Sequence, residues 1–94
     1  MICSNLENRG GTLFFGGADT TALIEKYGSP LYVMDEARIR HNCRVYLDAL
    51  REHLGPTARP LYASKAASFK RIYEIMREEG MGIDVVSCGE IYTA

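Results

Sequence analysis

Charge imbalance, basic runs and long apolar stretches are all missing from this sequence. Lys and Arg number 11 against 12 Asp and Glu, so the formal net charge is -1, and the basic residues stand singly among acids. That pattern gives no footprint for nucleic acid or an acidic membrane surface as a partner. No apolar stretch approaches the length of about 20 residues that spans a bilayer as a helix. Met1 to Gly11 lacks the basic start and apolar centre of a secretory signal. Three cysteines, Cys3, Cys43 and Cys88, are odd in number and far apart, with no CxxC pair. Reduced thiols in a cytoplasmic protein are therefore expected, and no metal site. His41 and His53 lack the spacing and partners of metal ligands and read as surface residues. Gly16-Gly17 and Gly80-x-Gly82 begin no dinucleotide-binding glycine pattern and read as turns and helix ends.

What is present is ordinary for a globular chain. Ninety-four residues, 47% apolar and 24% charged, suffice for one small domain with a modest core. Thr12 to Phe15 reads as a strand stopped by Gly16-Gly17. Asp19 is a fitting N-cap for a helix running to Tyr27, and Gly28 stands just past its end. Pro30 introduces Leu31-Tyr32-Val33-Met34, expected as a second short strand, and Asp35 can cap the next helix. In that helix Ile39, Cys43, Tyr46, Leu47, Leu50 and Leu54 recur at helical spacing as one apolar stripe. Gly55-Pro56 ends it. A third strand is expected from about 60 to 64, then a helix from about 68 to 79 burying Phe69, Ile72, Tyr73 and Met76. Gly80 closes that helix, the fourth strand covers 83 to 86, and Gly89 onward opens another helix. Strand and helix alternating at this spacing indicate parallel βαβ units, hence an α/β fold. Ala94 falls inside an expected helix, and a closed (β/α) barrel takes about 250 residues, so a longer parent protein is expected.

Leu61-Tyr62-Ala63-Ser64-Lys65-Ala66 carries the clearest chemistry. It reads as a short enclosed strand ending in a lone lysine among small side chains. A poorly hydrated ammonium gives up its proton readily, which frees the amine as a nucleophile. Ala63, Ser64, Ala66, Ala67 and Ser68 leave room for a flat ring, a combination that suits a Schiff-base lysine. The simpler reading of the local chemistry is a lysine that closes a strand and points into water. By period-two alternation Leu61, Ala63 and Lys65 share one face, as do Asp84 and Val86. If both faces point inward, Lys65 and Asp84 line one cavity, and an inward Asp84 needs a partner.

Tyr62-Ala63-Ser64-Lys65-Ala66, followed about a helix later by Asp84-Val85-Val86-Ser87-x-Gly89-Glu90-Ile91-Tyr92, resembles the N-terminal part of the diaminopimelate decarboxylases. These belong to the alanine-racemase-like barrel group of pyridoxal-phosphate enzymes. Tyr27-Gly28-x-Pro30-Leu31-Tyr32-Val33-x-Asp35 extends the likeness upstream. The resemblance implies the N-terminal part of a pyridoxal-phosphate-binding (β/α) TIM-type barrel over 35–94. Residues 1–34 would be a segment whose strand near 12–15 belongs to a separate β-domain. It further implies decarboxylation of meso-2,6-diaminopimelate to L-lysine by a homodimeric parent, with pyridoxal 5'-phosphate held by Lys65. Ala63 and Asp84 match positions lining the cofactor pocket, and Glu90 matches one near it. Cys88 stands where the family usually has glycine, and would be strained in a left-handed conformation. Decarboxylases of arginine, ornithine or carboxynorspermidine share the lysine and aspartate motifs, so they remain as alternatives. So does a non-catalytic truncated product.

Overall fold

The computed structural model describes residues 3–94 and divides the chain into two compact units, Met1–Arg38 and Ile39–Ala94. In the first unit β1 (Leu6–Arg9), β2 (Thr12–Phe15) and β3 (Ala18–Asp19) form an antiparallel sheet in that order. Leu6 pairs with Phe15 and Arg9 with Thr12, while Phe15 pairs with Ala18. Both turns are glycine pairs, Gly10-Gly11 and Gly16-Gly17, with positive φ at all four residues. Two-residue hairpin turns of this hand need positive φ, which only glycine adopts without cost. Helix α1 (Thr20–Tyr27) starts where Asp19 Oδ1 accepts from the Thr21 and Ala22 amides, at 2.8 and 3.2 Å. It stops where Gly28 N donates back to the Ile24 carbonyl.

Leu31–Met34, expected as a strand, forms no ladder and is exposed. Apolar β-prone residues make a strand only where a neighbouring backbone offers partners, and none of the described strands pairs with it. Asp35 does cap the helix that follows: its Oδ1 accepts from the Arg38 amide at 3.2 Å, and its Oδ2 accepts from Asn5 Nδ2 at 3.1 Å. The Asn5 bond foremost holds the Asp35 carboxyl below its ordinary range.

The long helix α2 (Glu36–Leu54) leads into the second unit, with β4 (Leu61–Ala63), α3 (Lys70–Glu78), β5 (Gly82–Asp84) and α4 (Cys88–Thr93). Strands β4 and β5 are parallel, Leu61 opposite Gly82, Tyr62 opposite Ile83 and Ala63 opposite Asp84. That is the βαβ connection expected of an α/β chain. The core consists of Cys43 and Leu47 from α2, Ile72, Tyr73, Ile75 and Met76 from α3, and Met81. Ile39, Tyr62 and Ile83 pack against it. Arg40 and Arg44 on α2 both reach Glu79 past the end of α3, at 2.9 and 2.7 Å. Arg59 fixes the turn before β5, its Nε and Nη2 donating to the Gly80 and Met81 carbonyls, each at 3.0 Å.

Three expectations about packing need correction. Tyr46 and Leu54 lie on the apolar stripe of α2 yet are exposed, because the facing helix α3 covers only the stretch around Cys43 and Leu47. Phe69 is extended at the N-cap of α3 and stays outside the buried face, whereas Ile75, one turn after Ile72, joins it. The fourth strand begins at Gly82 and ends at Asp84 rather than running to Val86. No described helix is long and apolar enough to cross a membrane.

Candidate functional site

Opposed residues of a parallel pair project to the same side of the sheet. Tyr62 and Ile83 therefore share the face that packs on the core, and Leu61, Ala63, Gly82 and Asp84 share the other. A methyl group placed on Gly82 would collide with the Leu61 side chain, which confirms that these two lie together. Leu61, Ala63 and Asp84 are exposed. The burial penalty that would demand a partner for Asp84 does not arise in this chain.

Immediately after Ala63 the chain leaves the strand in a 3₁₀ turn, Ser64–Ala66, closed by the Ala67 amide donating to the Ser64 carbonyl at 3.2 Å. Ser64 is fully buried, and its Oγ donates to the Asp84 carbonyl at 2.8 Å, joining the ends of β4 and β5. Tyr62 OH donates to the Ala67 carbonyl at 3.2 Å. Lys65 sits on this turn and is exposed. The expected enclosed lysine, sharing strand alternation with Leu61 and Ala63, is thus not what forms. Ser64 takes the buried place, and the turn breaks the period of two before Lys65. What the structure does bring together is Lys65, Ala63 and Asp84 at the C-terminal ends of two adjacent parallel strands, an end open to solvent.

Glu90 has a local structural task. Its Oε2 accepts from the Val86 and Ser87 amides at 2.6 and 3.1 Å, while Ser87 Oγ accepts from the Glu90 amide at 3.2 Å. This capping box starts α4, and its sequence signal, Ser87 with Glu90 three residues on, was there to be read. The Val86 amide foremost holds the Glu90 carboxyl below its ordinary range. Cys88 is the first residue of α4, and no described non-glycine residue has positive φ, so the strain considered for it is absent. The fully buried Ser64 was missed as more than a small neighbour, because no local pattern distinguishes a buried serine from an exposed one. His41 and His53 are exposed on α2.

Residues 36–94 match the family described as pyridoxal-dependent decarboxylase, pyridoxal binding domain. This chain belongs to that family. Among named relatives, the diaminopimelate decarboxylase of Bacillus methanolicus is 48% identical over 87 residues, covering 93% of this chain and 20% of that protein. The diaminopimelate decarboxylase of Synechocystis is 41% identical over 86 residues, covering 92% and 18%. A crystal structure of diaminopimelate decarboxylase from M. jannaschii in complex with L-lysine superposes with a TM-score of 0.76 at 35% identity. It covers 97% of this chain and 22% of the solved one. The chain therefore spans about a fifth of the length of the relatives it matches. Lys65, Ala63, Asp84 and Glu90 all fall inside the span matched to the pyridoxal binding domain.

Proposed function

We propose that this chain is the lysine-bearing opening portion of an enzyme that decarboxylates meso-2,6-diaminopimelate to L-lysine. The observation that carries the reading is an accessible amine, Lys65, on the turn at the C-terminal end of β4, within the span matched to the pyridoxal binding domain. Functional side chains of parallel α/β folds gather at that end of the strands. The relatives cited, and a solved neighbour bound to L-lysine, favour this substrate over arginine, ornithine or carboxynorspermidine.

The residues at this end fit pyridoxal 5'-phosphate. The donor set is right for an aldehyde-bearing, cationic ring: a primary amine, an exposed carboxylate, and the small side chains of Ala63 and Ala66 beside them. Lys65 would hold the group through its amine, with Ala63 and Asp84 lining the pocket. When bound, that cofactor supplies a conjugated system that accepts the electron pair left by departing carbon dioxide. Exposure keeps the Lys65 amine within reach of a reagent, and as a nucleophile it acts in its unprotonated form. The β4–β5 ladder sets Asp84 directly opposite Ala63, with its side chain on the same face.

The same reading makes residues 35–94 the first part of a (β/α) barrel, supported by the parallel β4–α3–β5 unit. It makes residues 1–34 a segment of or leading to a separate β-domain, in keeping with the antiparallel sheet there. The full-length protein is then a cytoplasmic homodimer acting on a small amino acid, and the 94-residue chain alone is inactive.

Two assays on the full-length protein test this. Borohydride reduction fixes a pyridoxyl group on the peptide containing Lys65, and finding the label on Lys26 or Lys70 instead removes the central assignment. Carbon dioxide is released from diaminopimelate. Release from ornithine or arginine alone would defeat the substrate assignment.

A further inference from the structure

Two hydroxyl groups grip the turn that carries Lys65, one on each side of it. The Ser64 Oγ bond to the Asp84 carbonyl ties the start of the turn to the end of β5. The Tyr62 OH bond to the Ala67 carbonyl ties its far end back to β4. Neither group is needed for packing alone. An alanine would fill the Ser64 position without any polar atom to satisfy, whereas a buried hydroxyl is costly unless it is bonded. The Tyr62 ring already packs on the core beside Ile83, and a phenylalanine would do the same. The Ser64 hydroxyl ends on the last carbonyl of β5 and, after the Val86 amide, also helps to hold the Glu90 carboxyl below its ordinary range, while the Tyr62 hydroxyl ends on the Ala67 carbonyl just past the turn.

A lysine amine sits at the end of a long, freely rotating stem. Where an exposed one can act is set by the direction in which its Cα–Cβ bond leaves the backbone, and small misplacements of a reacting group are costly. We propose that the Tyr62 and Ser64 hydroxyls are positioning groups for Lys65. By locking the turn from both sides they aim the amine toward the open Ala63–Asp84 end of the strand pair. This rests on the assignment of Lys65 as the cofactor-bearing lysine. It assigns to two residues of the Tyr62–Ala66 stretch a role distinct from lining the pocket.

The test uses the full-length protein loaded with pyridoxal phosphate and reduced with borohydride. The share of pyridoxyl label on Lys65, relative to Lys26 and Lys70, is read by peptide mapping, along with the pH at which the bound cofactor's visible absorption changes. In Ser64→Ala and in Tyr62→Phe the Lys65 share falls about fivefold, the factor that one net hydrogen bond represents, and the absorption pH profile moves. Ser64→Thr, which keeps a hydroxyl, restores both. Circular dichroism verifies folding, and if Ser64→Ala fails to fold, Tyr62→Phe, which leaves the ring packed, decides alone. An unchanged Lys65 share and pH profile in a folded variant overturns the positioning role while the lysine assignment stands. No preference for Lys65 in the unaltered protein overturns the lysine assignment and the positioning role with it.

Discussion

Leu47 and Leu54 lie two turns apart on α2, on one face by helical period, yet Leu47 is 4% exposed and Leu54 72%. Truncating each to alanine removes the same three carbon atoms from very different surroundings. At about 0.8 kcal/mol per methylene the transfer term for Leu47 is about 2.4 kcal/mol. Incomplete collapse of the space between α2 and α3 brings the expected loss to about 3 kcal/mol. For Leu54 only the covered quarter of the side chain is at stake, about 0.7 kcal/mol, and the better helix propensity of alanine offsets part of it. Urea unfolding followed by far-UV circular dichroism separates the two cases. With a slope of about 1.5 kcal/mol/M, Leu47→Ala lowers the midpoint by about 2 M and Leu54→Ala by less than about 0.5 M. Equal shifts would mean that the apolar stripe is buried along its whole length, and the packing described for α2 would be refuted. A shift for Leu47→Ala as small as that expected for Leu54→Ala would refute the placement of the core itself.

Arg44 foremost, then Arg40, hold the Glu79 carboxyl at about 2 against an ordinary 4.5. The folded value is the lower one, so the stabilisation is complete above pH 4.5 and is lost as the pH falls toward 2. Urea midpoints across the acid range fall in that window, and Glu79→Gln flattens the fall. Burial pushes the Cys43 thiol up and encloses it against Met76, whereas Cys3 and Cys88 are exposed. Iodoacetamide accordingly modifies Cys3 and Cys88 quickly and Cys43 only after unfolding, as mass spectrometry would show. Lys65→Ala removes an exposed side chain, so stability changes by less than about 0.5 kcal/mol in urea, while the borohydride-fixed label disappears from its peptide. A large loss of stability would show that Lys65 supports the fold.

Helix ends were the most legible features. Asp19, Asp35 and Gly28 act where their residue types foretell, because a cap is a matter of a few neighbouring backbone groups. The α/β order and the parallel pairing of the last two strands were equally readable. Strand β1 was not: Leu6–Arg9 carries no β-branched residue, and it is a strand because β2 supplies a ladder partner. Leu31–Met34 shows the converse, a β-prone run with no partner and no strand. At the site, Lys65 could be singled out from its local chemistry and Ala63 and Asp84 through the family resemblance, but the enclosure expected around Lys65 could not be checked locally.

By itself the sequence determined the caps that start α1 and α2, the glycines that end α1, α2 and α3, that the second half alternates strand and helix, and that one lysine follows a short strand among small neighbours. These depend on interactions within a few residues, which residue type and spacing encode directly. Only the tertiary structure decided which part of the α2 stripe is covered and which strand residues stand opposite one another. It also decided that Ser64, not Lys65, turns inward. Those outcomes hang on contacts between segments distant in the chain, such as Ser64 with Asp84 and Arg44 with Glu79. Burial belongs to the pair of surfaces that meet, and neither segment specifies it alone.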